Sequence, residues 1–125
     1  MKYSESMEMY LETILKIEEE QEEVRVVDIA RSLNISKPSV SRAVGLLKGK
    51  KLILQEPYGS IYLTSKGRAA ATGVYDKHKH ITEFLMCSLG LDRETAEADA
   101  CRMEHVVSEK TFSAIKRYER SRIPR

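Results

Sequence analysis

Val26-Val27-Asp28-Ile29-Ala30-Arg31-Ser32-Leu33 and a second amphipathic stretch beginning at Lys37 are separated only by Asn34-Ile35-Ser36. This spacing limits the fold more than any other feature of the chain. Three residues make a tight turn, so two short helices must lie against each other as a helix-turn-helix. Ser36 caps the second helix, Pro38 is tolerated in its first turn, and Val40, Val44 and Leu47 give it a buried side. Two short strands are expected next, 52–55 and 61–63, flanking Glu56-Pro57-Tyr58-Gly59-Ser60, a turn-forming tip. Helix-turn-helix followed by β-hairpin is a winged arrangement.

Around this unit the pattern is helical. Tyr10, Leu11, Ile14, Leu15 and Ile17 form an apolar stripe over residues 5–20, with Ser4 or Ser6 as cap. Thr64 caps a long helix over about 65–88, stopped near Gly90. Asp92 caps another over about 93–107, and Ser108 a last one over about 109–121, with Pro124 beyond its end. The expectation is a mainly α fold in two parts. Residues 1–72 form an N-terminal winged helix-turn-helix DNA-binding domain, and residues 73–125 a helical metal-binding and dimerisation domain.

The net charge of +2 conceals an uneven distribution. Residues 1–23 hold two lysines against eight glutamates, or −6, whereas residues 24–72 hold nine Lys/Arg against Asp28 and Glu56, or +7. A basic middle segment suits a polyanion. A recognition helix enters the major groove with its N-terminal residues at the base edges. Lys37, Ser39, Ser41 and Arg42 are therefore candidate base readers, and Pro38 offers apolar contact to a thymine methyl. Arg31, Ser36, Lys48, Lys50 and Lys51 suit phosphates, and Tyr58 and Ser60 at the wing tip suit a flanking groove or backbone. The expected partner is double-stranded operator DNA.

No apolar run reaches the ~20 residues of a membrane span, and the N-terminus lacks a basic start followed by an apolar run. A cytoplasmic protein with no membrane partner is expected. Cys87 and Cys101 would be reduced there, with Cys87 a small buried hydrophobe.

Cys101-Arg102-Met103-Glu104-His105 carries a thiol, a carboxylate and an imidazole at spacings that share one helix face. Such a face can hold a metal. Met9 and Glu12, three apart on the first helix, and His78 on the long helix are candidate partners. His80 lies about 200° round that helix from His78. A lone Met is usually core and a lone His usually structural, so spacing alone leaves Met9 and His78 open.

The chain resembles the metalloregulators of the diphtheria toxin repressor and manganese transport regulator family. The matching stretches are Glu8-Met9-Tyr10-Leu11, Asp28-Ile29-Ala30, Ser36-Lys37-Pro38-Ser39-Val40-Ser41, Leu63-Thr64-Ser65-Lys66-Gly67, Lys77-His78 and Ala100-Cys101-Arg102-Met103-Glu104-His105-Val106. The resemblance implies a homodimeric, divalent-metal-activated repressor of metal-uptake genes. It also implies a ligand set of Met9, Glu12, His78, Cys101, Glu104 and His105. Manganese-type members resemble the chain in length and in the carboxylate at Glu12, but have carboxylates at the positions of Met9 and Cys101. Iron-type members share Met and Cys there but usually carry an SH3-like third domain, which is not expected within residues 1–125. Their ancillary site would use the positions of His78, Thr82 and Glu97, and Thr82 is a poor ligand. Thiolate and thioether favour a softer ion than Mn²⁺. Fe²⁺ is the expected cofactor, Mn²⁺ the alternative, and Co²⁺ or Ni²⁺ surrogates.

The apolar residues Phe84, Leu85, Leu89, Leu91, Val106, Val107, Phe112 and Ile115 must serve both core and dimer, and the sequence does not divide them. Two rival readings differ in class. A metal-independent winged-helix repressor sensing a small organic ligand leaves the Cys/Glu/His face unexplained. A metalloenzyme lacks a general base outside the ligands, a phosphate loop and a nucleophile constellation, so no small organic substrate and no enzymatic activity are expected.

Overall fold

The structure, a computed structural model, describes residues 3–122, with side chains described to residue 119. Pro124 lies outside the described residues. The chain divides between Thr72 and Gly73 into two compact units.

The first unit begins with α1 (Glu5–Glu20). Ser4 caps it, its hydroxyl accepting from the Met7 N–H at 3.2 Å, and Glu5 and Glu8 sit where the helix dipole favours negative charge. Its apolar stripe is buried and packs on α2 (Val26–Leu33), α3 (Lys37–Gly49) and β2 (Ile61–Leu63). Asn34 ends α2 in the left-handed region (φ 55), a conformation Asn tolerates, and the Ile35 N–H returns to the Ala30 carbonyl at 3.1 Å. Ser36 caps α3, and Val40, Val44 and Leu47 are buried as the spacing predicts. Each such fully buried aliphatic side chain contributes roughly 1.5–3 kcal/mol.

β1 (Ile53–Gln55) pairs antiparallel with β2, Leu54 opposite Tyr62. Ile53, Ile61 and Leu63 face the core while Leu54 and Tyr62 face outward, the alternation of a half-buried hairpin. The tip turns through Gly59 (φ 95), whose N–H donates to the Glu56 carbonyl at 2.8 Å. Thr64 opens α4 (Ser65–Leu89), its hydroxyl oxygen accepting from the Gly67 N–H at 3.0 Å. A Cβ on Gly67 would stand 1.9 Å from the Leu52 carbonyl oxygen, so the start of α4 lies directly on the backbone just before β1.

The second unit holds the remainder of α4, α5 (Arg93–Met103) and α6 (Glu109–Arg122) around Ile81, Leu85, Ala96, Ala100, Phe112 and Ile115. Asp92 caps α5 through the Thr95 N–H at 3.0 Å, and Ser108 caps α6 through the Thr111 N–H at 3.1 Å.

Two expectations are corrected. α5 ends at Met103 rather than near residue 107, and residues 104–106 form a turn in which the Val106 N–H bonds the Met103 carbonyl three residues back at 3.1 Å. His105 therefore sits in a turn. Cys87 is exposed rather than buried. The inward face of α4 in this unit runs Val74, His78, Ile81, Leu85, and two residues past Leu85 turns Cys87 away from it. The apolar set also divides. Leu85, Phe112 and Ile115 are core, Phe84, Leu91 and Val107 pack against it, and Leu89 and Val106 are each 63% exposed.

Candidate metal centre and DNA-reading surface

The outer face of α3 offers Lys37, Pro38, Ser41 and Arg42 to solvent, with Ser39 half-buried. The Ser39 hydroxyl oxygen accepts from Ser36 Oγ at 2.9 Å and from Arg42 Nη2 at 3.3 Å, so this face is ordered by its own polar groups. Arg31 is exposed beside Asp28 at 3.5 Å. Lys48 donates to Gln55 Oε1 at 3.3 Å, and Lys50 is exposed. Lys51 is exposed and left-handed (φ 61), which is strained for a residue with a Cβ. Tyr58 at the wing tip is 83% exposed.

Ser60 departs from its expected role. It is 1% exposed and donates to Glu23 Oε1 at 3.2 Å, so it braces the hairpin from inside rather than presenting a hydroxyl at the tip. Its position directly before the buried Ile61 made this hard to see, since the tip could begin its inward turn at either residue. Sequence reasoning also passed over Arg25. Its guanidinium donates to the Tyr58 carbonyl, a contact across 33 residues that no local spacing signals.

In the second unit the candidate metal groups gather on Glu104. Its carboxyl group is buried, and His78 Nδ1 lies 2.7 Å from Oε1. His105 Nε2 lies 3.4 Å from the other oxygen, Oε2. His78 is buried on α4 and stacks on Tyr75, ring centroids 6.4 Å apart, while Thr82 Oγ1 donates to the His78 carbonyl at 2.7 Å and fixes that turn. Glu104 follows the last turn of α5, still right-handed and donating its N–H to the Ala100 carbonyl at 2.9 Å. Cys101 is exposed one turn earlier, so the expected common face is graded from exposed thiol to buried carboxylate. Two imidazoles on the two oxygens of one buried carboxylate form a donor set that suits a divalent transition ion.

His80 belongs to a different grouping. Its Nδ1 lies 3.0 Å from Glu119 Oε1 and its Nε2 3.4 Å from Asp76 Oδ1, as its angular distance from His78 predicts. Thr82 donates its hydroxyl to the His78 carbonyl, and Glu97 is exposed. In the first unit, Met9 is half-buried on α1, and Glu12 is buried one turn on with Lys16 Nζ at 3.5 Å from its Oε2. No helix among the described residues is long and apolar enough to cross a membrane.

Residues 2–61 match the iron-dependent repressor N-terminal DNA-binding domain, and residues 64–120 match the iron-dependent repressor metal-binding and dimerisation domain. An HTH-type transcriptional regulator of Methanocaldococcus jannaschii is 39% identical over 114 residues, spanning 90% of this chain and 91% of that one. The chain belongs to the iron-dependent repressor family, which includes the diphtheria toxin repressor, IdeR and MntR. The transcriptional regulator MntR of Escherichia coli O6:H1 is 35% identical over 112 residues, 90% of this chain and 72% of that protein. The solved structure of the manganese regulator SloR superposes with a TM-score of 0.80 at 29% identity, covering 96% of this chain and 55% of SloR. The chain spans slightly under half the length of the diphtheria toxin repressor and IdeR relatives it matches. It carries the family's mainly helical fold, a helix-turn-helix with a small wing followed by a helical dimerisation domain. The family consists of metal-dependent transcriptional regulators, not enzymes, and its second domain binds divalent metal.

Proposed function

We propose that the chain is a divalent-metal-activated repressor that binds operator DNA as a homodimer in the cytoplasm and controls metal-uptake genes, with Fe²⁺ as its ion. The observation that carries the reading is the buried Glu104 carboxylate with an imidazole on each oxygen. The proposed ligand set is Met9, Glu12, His78, Cys101, Glu104 and His105. A bound divalent ion would supply the positive charge that makes burial of such carboxylates favourable.

The chain's own residues account for the rest. The α4 turn fixed by Thr82 holds His78 against Glu104. Leu89 and Val106 supply exposed apolar surface for a second copy. Lys37, Ser39, Ser41 and Arg42 read bases, with Pro38 against a thymine methyl. Arg31, Ser36, Lys48, Lys50 and Lys51 engage phosphates, and Tyr58 reaches the flanking groove. Met9 and Cys101 favour Fe²⁺ over Mn²⁺, because thioether and thiolate match the softer ion.

A duplex selected from a random pool by the metal-loaded protein provides the test, in anaerobic titrations with Fe²⁺, Mn²⁺, Co²⁺ and Zn²⁺. Tight binding with Fe²⁺ and Co²⁺ and weak binding with Mn²⁺ supports the reading. Binding with Mn²⁺ alone overturns the choice of ion, and equal binding after chelation overturns metal activation.

A further inference from the structure

Arg25 stands just before α2, and its side chain leaves the helix-turn-helix for the wing. One guanidinium nitrogen donates to the Tyr58 carbonyl, and the other lies 3.4 Å from Glu23 Oε2. The second oxygen of Glu23 accepts from Ser60 Oγ at 3.2 Å. The Ile61 N–H donates to the Val24 carbonyl at 2.8 Å, which ties the segment before α2 to the start of β2. Gly59 completes the fit. A Cβ there would approach Arg25 Nη1 to 3.2 Å, and its φ of +95 disfavours any other residue. At its other end Arg25 is tied to the reading head, its backbone N–H donating to Asp28 Oδ2 at 2.9 Å.

We infer that Arg25 is a positioning residue for DNA binding, clamping the wing tip to the base of α2 so that Tyr58 is presented at a fixed distance from α3. This rests on the DNA-reading role proposed above. Tyr58 makes the tip worth positioning, since its ring is exposed while its carbonyl is held. The tip 56–60 is closed by the Gly59 N–H on the Glu56 carbonyl and the Glu56 N–H on the Ser60 carbonyl, both at 2.8 Å, and the Arg25 clamp ties that closed tip to the base of α2 before DNA arrives, which lowers the ordering cost of binding. A positioning role differs from a phosphate contact: one guanidinium N–H is engaged by the Tyr58 carbonyl and one by Glu23, whose carboxylate balances the charge.

That distinction sets the experiment. The selected duplex is titrated at several salt concentrations with the Co²⁺-loaded wild-type chain, Arg25→Met, Arg25→Lys, Tyr58→Ala and the Arg25→Met/Tyr58→Ala double variant. Amide exchange of residues 56–61 is followed in parallel without DNA. Arg25→Met should weaken binding about ten-fold, with Arg25→Lys recovering part, and should add less than about two-fold once Tyr58 is gone, because coupled residues are non-additive. The dependence of log K on log salt should keep its slope, and exchange at 56–61 should speed up with thermal stability of the rest of the chain preserved. A slope smaller by about one identifies a direct phosphate contact and overturns the inference. So does an equal loss in both Tyr58 backgrounds, or unchanged exchange at the tip. A wild-type chain that binds no duplex overturns the DNA-reading role itself, whereas a wild-type chain that binds and an Arg25→Met that binds equally well overturn the clamp alone.

Discussion

His78 Nδ1 and Glu104 Oε1, 26 residues apart in sequence, lie 2.7 Å apart with both side chains buried. Removing the imidazole leaves a carboxylate in a buried site without its nearest donor. His78→Ala should therefore cost about 1–3 kcal/mol in urea denaturation of the metal-free chain, the usual size for leaving a buried polar group without its partner. It should also abolish the gain in stability on adding Co²⁺, which for an ion at a hundred times its Kd is about 2.7 kcal/mol in the wild type.

Gly67 allows α4 to start against the backbone just before β1. With its would-be Cβ 1.9 Å from the Leu52 carbonyl oxygen, Gly67→Ala forces backbone to move rather than a side-chain tip. A loss of at least 1–3 kcal/mol is expected, roughly the range for overpacking. Gly73→Ala in the same helix meets nothing within 4 Å and should raise stability by up to about 1 kcal/mol through better helix propensity. Equal effects at the two positions in a denaturation comparison would contradict this packing.

Lys51 keeps a Cβ where the backbone is left-handed (φ 61), and the strain persists beside an exposed cation. Lys51→Gly should relieve the strain and stabilise the fold by up to about 1 kcal/mol. The same change should weaken duplex binding and reduce the salt slope by about one, as loss of one phosphate contact does. Thermal melts and salt-dependent titrations of one variant thus move in opposite directions.

Asp92 gives the pH dependence a definite sign. The Thr95 hydroxyl (2.8 Å) and then the Thr95 N–H (3.0 Å) hold its carboxyl below the ordinary value of 3.8. A group lowered in the folded state contributes stability that is full above 3.8 and is lost as pH falls through the lower folded value. Asp92→Asn keeps a capping oxygen but does not titrate. Its melting temperature relative to wild type should rise as pH falls through that window, and an unchanged difference would contradict the assignment.

Much of the fold was legible because caps and periods are local. Ser4, Ser36, Thr64, Asp92 and Ser108 mark helix starts in the sequence, and each accepts the expected N–H. What was not legible depends on where a chain turns in space. The end of α5 at Met103 is marked by a tighter turn, the Val106 N–H reaching a carbonyl only three residues back, and it places His105 off the helix. Ser60 was read as tip and is interior, because its partner Glu23 lies 37 residues away. Arg25 was invisible for the same reason. The position of Cys87 was misjudged from residue type alone, where the rotation of α4 past Leu85 decides it. Spacing puts Cys101, Glu104 and His105 on one face, but the gradation from exposed Cys101 to buried Glu104 was not legible in it.

The central claim is that ion and DNA reinforce each other. Co²⁺ titrations of the apo chain, followed by the visible bands of the bound ion with and without the selected duplex, test it most directly. If Co²⁺ tightens duplex binding by some factor, linkage requires the duplex to tighten Co²⁺ binding by the same factor. A thiolate charge-transfer band should appear in the wild type and vanish in Cys101→Ala. Equal Co²⁺ affinities with and without duplex would contradict the account.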